Sequence, residues 1–283
     1  MIRVENLVYR YDENETPVLR GVTLEIRDGE YVALIGPNGC GKTTLVKHFN
    51  ALLLPTDGDV WVDGKNTRDP SAVTEIRQRV GMIFQNPDHQ IVGMTVEEDV
   101  SFGPGNLGLP PSEIRQRVDE ALEAVGLTGY AKRYPYTLSG GEKQLLAIAG
   151  ILAMRPKHIA LDEPTSSLDP AARRRITALL RKLNKQGITV IHITHHVEEI
   201  VEADRVIVMD RGRILLDGKP EEVFSQTATL KALGMDVPQV TELMWRLSQL
   251  GMPIRTDILT VDAACAEIAR LLGESGNMAL SRN

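Results

Sequence analysis

The sequence lacks three features that would place it in other classes of protein. Two cysteines among 283 residues are too few for a disulfide framework or a zinc cage, so we interpret Cys40 and Cys265 as reduced thiols. No stretch reaches the roughly 18 consecutive apolar residues of a spanning helix, and the charged first residues do not fit a signal peptide. A net charge of −6 argues against binding nucleic acid through the overall field. We therefore expect a protein that reaches a membrane only through a partner.

Short apolar runs separated by glycine and aspartate indicate an α/β fold. Alternating runs at residues 3–9, 22–26 and 60–62 predict strands and hairpins of an antiparallel β subdomain. Later in the chain, apolar runs alternate with helical stretches such as residues 170–186, which predicts a parallel sheet covered on both faces. Residues 112–154 are predicted to be mostly helical. A helix is also expected at residues 43–53, and a hairpin turn at Arg211-Gly212.

A glycine loop follows the apolar run at residues 31–35 and precedes the helix expected at 43–53. It fits the pattern G-x-x-x-x-G-K-[ST] in full with Gly36, Pro37, Asn38, Gly39, Cys40, Gly41, Lys42 and Thr43. Thr44 is the next residue in the chain. Glycines allow consecutive backbone N–H groups to point inward, where they and the following helix dipole hold polyphosphate oxygens. Lys42 then neutralises the β- and γ-phosphates, and the Thr43 hydroxyl is a ligand for Mg²⁺.

Two carboxylates, Asp162 and Glu163, come at the end of another apolar run. Because ligands of open α/β sheets bind at the carboxyl ends of the strands, these side chains are expected near the glycine loop. Asp162 is the candidate to hold Mg²⁺, through water, and Glu163 the candidate to polarise or deprotonate an attacking water.

A third motif lies between the first two, at Ser139, Gly140 and Gly141. A serine cap followed by glycines and then Glu142 is typical of a helix start, and a helix start with free N–H groups binds anions.

Together the three motifs resemble those of ATP-binding-cassette (ABC) ATPases. The resemblance implies that Ser139, Gly140 and Gly141 meet the γ-phosphate held by the opposite subunit of a head-to-tail dimer. Four further positions match the same family. The resemblance implies that Gln85 reaches Mg²⁺ and water, that Asp169 lies in a loop crossing the dimer interface, that His195 senses the γ-phosphate, and that Tyr11 stacks on adenine.

A narrower resemblance involves the segments at residues 84–90, 95–100, 102–104 and 106–110. They are similar to the ATPase subunits of energy-coupling factor importers, which take up cobalt, nickel or vitamins. This implies ATP and Mg²⁺ as cofactors and a place at the cytoplasmic face of the cell membrane. The implied partners are a second ATPase subunit, identical or not, a transmembrane coupling subunit and a substrate-capturing membrane protein, with no nucleic acid.

The pattern along the chain and the resemblance together predict its organisation. Residues 1–218 form the ABC ATPase domain, with an antiparallel β subdomain, a parallel-sheet core and a helical subdomain inserted at about residues 86–155. Residues 219–283 form a small helical C-terminal module. An alternative function is that of a soluble ABC ATPase acting on nucleic acid or ribosomes.

Several positions depart from the pattern or have competing interpretations. Leu145 replaces a common arginine behind the third motif, and His196 replaces the aspartate that often follows the switch histidine. His192 and His195 fall on opposite faces of a predicted strand, so shared metal ligation is not expected. The run Arg173–Arg175 is predicted to form a solvated helix face.

Overall fold

A computed structural model describes residues 1–280, and the side chains of residues 1–273. Within that range the strands are β1 (Ile2–Tyr9), β2 (Leu19–Ile26), β3 (Tyr31–Ile35), β4 (Asp57–Val62), β5 (Lys65–Asn66), β6 (Val80–Ile83), β7 (His158–Asp162), β8 (Thr189–Ile193), β9 (Arg205–Asp210) and β10 (Arg213–Gly218). The α-helices are α1 (Lys42–Phe49), α2 (Val73–Arg79), α3 (Val96–Asn106), α4 (Pro111–Val125), α5 (Gly140–Leu152), α6 (Pro170–Lys185), α7 (Pro220–Ser225), α8 (Thr227–Ala232), α9 (Gln239–Gln249) and α10 (Val261–Leu280).

The predicted α/β architecture is confirmed as two sheets. One is antiparallel with the order β2-β1-β4-β5, and its strands alternate buried and exposed residues because only one face is covered. The other has the order β10-β9-β3-β8-β7-β6, in which β9, β3, β8, β7 and β6 are parallel and β10 is antiparallel. The turn between β9 and β10 is the predicted hairpin, with positive φ at both Arg211 and Gly212.

The parallel sheet is the core of the protein. Every residue of β3, β7 and β8 is buried, as expected for strands with helices on both faces. One large cluster of buried apolar side chains joins this sheet to the helices of the insert and to α6. A second cluster joins its other face to α1 and to the antiparallel sheet. The carboxyl ends of β3, β7 and β8 therefore open at a common edge.

The inserted helices α3, α4 and α5 lie between β6 and β7 in the sequence. Helix α3 begins at a capping box, in which the Thr95 hydroxyl accepts from the Glu98 N–H and the Glu98 carboxylate accepts from the Thr95 N–H. Helix α4 begins with proline and ends at Gly126 in the left-handed conformation. These signals fix where each helix begins and ends.

The C-terminal helices pack in two ways. Phe224 of α7 and Leu230 of α8 are fully buried in the large core cluster. Met244 of α9 and Ala264 of α10 belong to a small separate cluster with Ile258. The boundary at residue 218 stays a prediction, and apolar packing continues across it.

One local prediction was wrong, and another holds only in part. Helix α1 ends at Phe49 rather than at residue 53, because Ala51 adopts a left-handed conformation with φ of 54°. The solvated helix face predicted for Arg173–Arg175 is confirmed for Arg174 and Arg175, which are exposed, whereas Arg173 is half-buried. Arg173 donates to the Leu168 carbonyl and contacts His196, and Arg175 donates to the carbonyls of Val125 and Gly126.

Candidate functional site

The glycine loop between β3 and α1 takes a shape that only glycine permits at two positions. Gly36 has φ of 149° and an added Cβ would lie 2.2 Å from the Met209 carbonyl oxygen. Gly41 has φ of 107°, and an added Cβ would lie 2.8 Å from Leu19 Cδ2. The loop is therefore held against β9 and β2 while its backbone turns toward the start of α1.

Lys42 places a positive charge inside this loop. Its side chain donates from Nζ to the carbonyl oxygens of Gly36 (2.7 Å) and Pro37 (3.0 Å), and the residue is 8% exposed. Cys40 is buried beside it, with its Sγ 3.9 Å from Lys42 Nζ, and burial raises the pKa of the thiol. A buried ammonium at a helix start is a strong site for a phosphate anion.

Asp162, at the end of β7, lies close to α1. It is largely buried, and that burial raises the pKa of its carboxyl group, while a hydrogen bond from the Thr43 side chain acts in the opposite direction. A hydroxyl and a carboxylate in contact are the hard oxygen donors that Mg²⁺ prefers. Thr43 and Asp162 therefore fit the ion.

The Glu163 carboxylate lies next to two other candidate side chains, Gln85 and His195. Gln85 donates from Nε2 to Glu163 Oε2 at 3.1 Å, and His195 Nδ1 lies 3.5 Å from the same oxygen. Gln85 also donates to the Ser166 hydroxyl at 3.3 Å. Glu163 itself has φ of 49°, a left-handed conformation that is strained for a residue other than glycine.

Two cavities lie against these residues, and both are lined by part of the glycine loop and by Glu163. A cavity of about 320 Å³ is lined by Gly36, Asn38, Glu163, Thr194 and His195, together with Gly234, Met235 and Asp236 from the segment between α8 and α9. A cavity of about 330 Å³ is lined by Tyr11, Gly39, Gly41, Lys42, Thr43, Thr44 and Glu163. The structure thus brings together the candidates of the glycine loop, β7, β8 and Tyr11.

Tyr11 lies at the rim of the second cavity. Its hydroxyl is 3.1 Å from Thr44 Oγ1, and its ring meets the Tyr9 ring edge to face at 5.0 Å. The residue is 58% exposed. An exposed aromatic ring beside the glycine loop, held by its hydroxyl contact and one ring contact, can stack on a planar base.

The third motif is well formed but lies apart from those cavities. Ser139 and Glu142 make a complete capping box at the start of α5. Gly140 and Gly141 pack toward Leu168 and Ala172, and neither lines either of the two cavities described above. Asp169 caps α6 by accepting from the N–H groups of Ala171 and Ala172. The remaining candidates are therefore not brought to the glycine loop within one chain.

The two departures from the family pattern have clear surroundings. Leu145 is 2% exposed and packs in the large core cluster. His196 accepts from Arg173 Nη1 at 3.1 Å, and burial, followed by the Arg173 charge, lowers the pKa of the imidazole. His192 is fully buried, whereas the His195 side chain is 56% exposed, so the two do not share a ligand position.

Two further polar residues at this edge were not identified from the sequence. Ser166 contacts Gln85, and Glu199 is buried under the turn that carries His195. A weak sequence signal for Glu199 existed, because Glu198 and Glu199 lie between the apolar residues Val197 and Ile200.

Comparisons of the sequence with a family profile and with known proteins point to the same family. The ABC transporter family profile matches residues 19–166. A relative named cobalt import ATP-binding protein CbiO, from Syntrophus aciditrophicus, is 58% identical over 95% of this chain and 96% of its own length. The energy-coupling factor transporter ATP-binding protein EcfA1 from Caldanaerobacter subterraneus is 54% identical over 95% of this chain and 99% of its own.

Solved structures show the same fold. CbiO1 from Clostridium perfringens, described as part of the ABC transporter complex cbiONQ, superposes with a TM-score of 0.75 and 39% identity over 86% of this chain and 98% of that one. A dimeric ATP-binding cassette in a post-hydrolysis state, bound to ADP and Pi, superposes with a TM-score of 0.69 and 33% identity over 77% of this chain and 98% of that one.

Proposed function

The chain belongs to the ABC transporter family as an ATPase of the energy-coupling factor type, and we propose that it couples ATP hydrolysis to import through a membrane partner. The observation that carries the proposal is the convergence on Glu163. One carboxylate oxygen is in reach of both Gln85 and His195, next to the glycine loop that holds Lys42. This is the arrangement that activation of a water beside a bound terminal phosphate requires.

Each group has a distinct part in this proposal. The loop N–H groups and Lys42 bind and orient the triphosphate, and Glu163 accepts the proton of the attacking water. His195 donates to the terminal phosphate, and Gln85 positions the water against Glu163. In phosphoryl transfer most of the rate comes from such positioning and charge neutralisation.

Thr43, Asp162 and Gln85 would hold Mg²⁺. When bound, the ion would neutralise charge on the β- and γ-phosphates. Asp162 is buried and within hydrogen-bond reach of Thr43, so the pair is a ready oxygen site at the end of β7.

Hydrolysis in this proposal requires two chains. Ser139, Gly140 and Gly141 begin a capped helix that lies outside the two cavities next to Lys42 and Glu163. A second cassette, identical or related, would bring its own copy of this helix start to the phosphate, with Asp169 near the interface. The fold is shared with a cassette that was solved as a dimer.

The membrane partner would dock beside Gln85. Three apolar side chains in the segment after it are strongly exposed: Val92, Met94 and Phe102. No helix within residues 1–280 meets the length and hydropathy that crossing a bilayer requires. We propose a transmembrane coupling subunit as the partner, a further membrane protein that captures the substrate, and a metal ion (cobalt or nickel) or vitamin as cargo.

Replacing Glu163 tests the catalytic part of this proposal. Glu163→Gln should still bind Mg-ATP but should lose at least about 100-fold in hydrolysis rate, since general-base catalysis contributes about that much. Glu198→Gln is the matched control, because Glu198 is exposed and near His195 without lining either cavity. Wild-type turnover by Glu163→Gln would remove Glu163 from the mechanism.

Isolation from membranes tests the transport part. The full chain, tagged and extracted in mild detergent, should copurify with a membrane-embedded subunit in fixed proportion, and Met94→Glu should reduce that yield. Recovery with ribosomes or nucleic acid instead, and with no membrane protein, would favour a soluble ABC ATPase.

A further inference from the structure

A buried carboxylate connects the two strand-end loops that carry the candidate catalytic groups. Glu199 is 5% exposed and lies beneath both loops. Its Oε1 accepts from the Thr165 hydroxyl at 2.7 Å, and its Oε2 accepts from the Thr194 hydroxyl at 2.9 Å. Thr165 and Thr194 are also buried, so one side chain joins the end of β7 to the end of β8.

On the β7 side, this hydrogen bond fixes the segment that follows Glu163. Thr165 is two residues beyond Glu163, and its carbonyl oxygen accepts from the Leu168 N–H at 3.1 Å. The Glu163 N–H itself donates to the Ile193 carbonyl at 2.9 Å. Glu163 is thus fixed by the backbone of β8 on one side and by Thr165 on the other.

On the β8 side, the same carboxylate fixes the turn that carries His195. Thr194 donates to Glu199, and its hydroxyl oxygen accepts from the His196 N–H at 3.0 Å. The residues before and after His195 are therefore joined through one hydroxyl. Because that hydroxyl is oriented by Glu199, the position of the His195 ring depends on the buried carboxylate.

A second layer of side chains surrounds the carboxylate. Tyr31 and His192 lie below it, with the Tyr31 hydroxyl 3.0 Å from His192 Nδ1 and His192 Nε2 3.5 Å from Glu199 Oε2. Arg173 closes the outer side, with Nε 3.6 Å from Glu199 and Nη1 3.1 Å from His196. One positive charge thus faces one buried negative charge, which offsets part of the cost of burial.

The pKa values in this set agree with a neutral ring beside the carboxylate. Burial lowers the pKa of His192 to about 3. Burial raises the pKa of Glu199, and hydrogen bonds from Thr165 and Thr194 oppose that shift. Since these hydroxyls donate to the carboxylate oxygens, they orient it toward both loops at once.

We propose that Glu199 is a positioning residue for ATP hydrolysis, which acts through Thr165 and Thr194 to set the geometry between Glu163 and His195. The inference rests on the proposed function. It adds that the two catalytic loops are adjusted as a unit, because both hydroxyls bind one carboxylate. A disturbance at one loop therefore moves the group on the other.

The test compares substitutions that remove the hydroxyls with substitutions that retain them. Thr194→Val and Thr165→Val keep the side-chain volume and lose the hydroxyl, whereas Thr194→Ser and Thr165→Ser keep the donor. Each valine variant should lose about tenfold or more in kcat, since sub-ångström displacement of reacting groups has large effects on rate. The KM for ATP should stay within about twofold, because the glycine loop is untouched, and each serine variant should recover most of kcat.

The two valine substitutions combined give the sharper measurement. Residues that act through one shared partner show non-additive effects, so the double variant should lose little more than the worse single variant. Glu199→Gln should resemble that double variant, and Glu198→Gln should behave as wild type. Where Glu199→Gln does not fold, the threonine variants decide the question, because they retain the carboxylate.

Three results would overturn the proposal. One is multiplied losses in the double valine variant, and another is wild-type kcat in both valine variants. The third is parallel change in kcat and in unfolding free energy with no recovery by serine, which would mean a purely structural role. Wild-type protein that hydrolyses no ATP with its membrane partner would instead contradict the proposed function, so the two failures are distinct.

Discussion

Two helices of this protein begin at glycine-containing turns, and they are built for different tasks. The start of α1 has Gly41 at its N-cap in a left-handed conformation and no side-chain cap, so its first N–H groups are left for a ligand. The start of α5 has a complete capping box from Ser139 and Glu142. We expect phosphate to complete the first helix start, whereas the second is already capped before any ligand arrives.

The charges around the two helix starts also differ. Lys42 lies within the loop before α1, whereas the first turn of α5 carries Glu142. In the proposed function a chain holds a triphosphate at α1 by itself, while α5 offers a preformed helix start whose first turn carries a carboxylate. The comparison predicts that substitutions at the α1 start change ATP binding. Substitutions at the α5 start should instead change hydrolysis and the pairing of two chains.

Loss of the Lys42 ammonium should have the largest effect. Lys42→Ala should weaken ATP binding by about 100-fold, since charge-assisted hydrogen bonds contribute up to about 3 kcal/mol. Equilibrium titration with a fluorescent ATP analogue measures the change, and Lys182→Ala, an exposed lysine on α6, is the control. Unchanged affinity in Lys42→Ala would remove α1 as the phosphate site.

Crowding of the α5 start should separate binding from turnover. An added Cβ at Gly141 would lie 2.9 Å from Ala172 Cβ, whereas one at Gly150 on the same helix meets nothing within 4 Å. Gly141→Ala should therefore leave the ATP affinity of the isolated chain within about twofold. It should lower hydrolysis by about tenfold, because the displaced α5 start would no longer meet the second chain correctly. Gly150→Ala should retain full turnover. An equal loss in both variants would show that pairing does not depend on the α5 start.

The positions of the α1 and α5 motifs were predictable because they rest on local chemistry. A glycine loop between a buried strand and a helix, or a serine three residues before a glutamate, depends on residues close in sequence. The two sheets and the hairpin at Arg211 were predicted for the same reason. The catalytic roles of these residues stay predictions until they are measured.

Other features depend on contacts that spacing does not encode. Glu198 and Glu199 are neighbours of the same type, yet only Glu199 is buried, because the short helix turns it toward Thr165 and Thr194. The sequence predicts three solvated arginines at residues 173–175, whereas Arg173 contacts Leu168 and His196 in the structure. Tertiary packing decides that Glu199 is buried and Arg173 half-buried while their charged neighbours stay exposed.

A smaller effect is expected at Tyr11, on the α1 side of the comparison. If the ring stacks on adenine, Tyr11→Ala should weaken ATP binding by about fivefold, in line with about 1 kcal/mol for an aromatic contact. Tyr11→Phe keeps the ring and loses only the contact with Thr44, so its affinity should stay within about twofold of wild type. Similar losses for GTP and ATP would fit general stacking. No loss in Tyr11→Ala would place the base elsewhere.

The smallest effect concerns the capping box of α5 and its dependence on pH. Hydrogen bonds from the Ser139 N–H and then the Ser139 hydroxyl lower the pKa of Glu142. A carboxyl group with a lowered pKa stabilises the fold above its ordinary value of about 4.3, and that contribution is lost as pH falls through the folded value. Glu142→Gln retains the shape of the cap without the charge, so wild type should be more stable by about 0.5 kcal/mol at pH 7.

Urea unfolding of wild type and Glu142→Gln at pH 7 and at pH 3 measures that contribution. The difference between the two proteins should be smaller at pH 3, because the stabilisation is lost progressively as the pH falls below the ordinary value toward the lowered pKa of the folded Glu142 carboxyl group. Glu123→Gln, on the exposed side of α4, measures the background cost of losing one surface charge. A difference that is constant with pH would mean that α5 begins as a helix without help from the Glu142 charge, which would make its start more like that of α1.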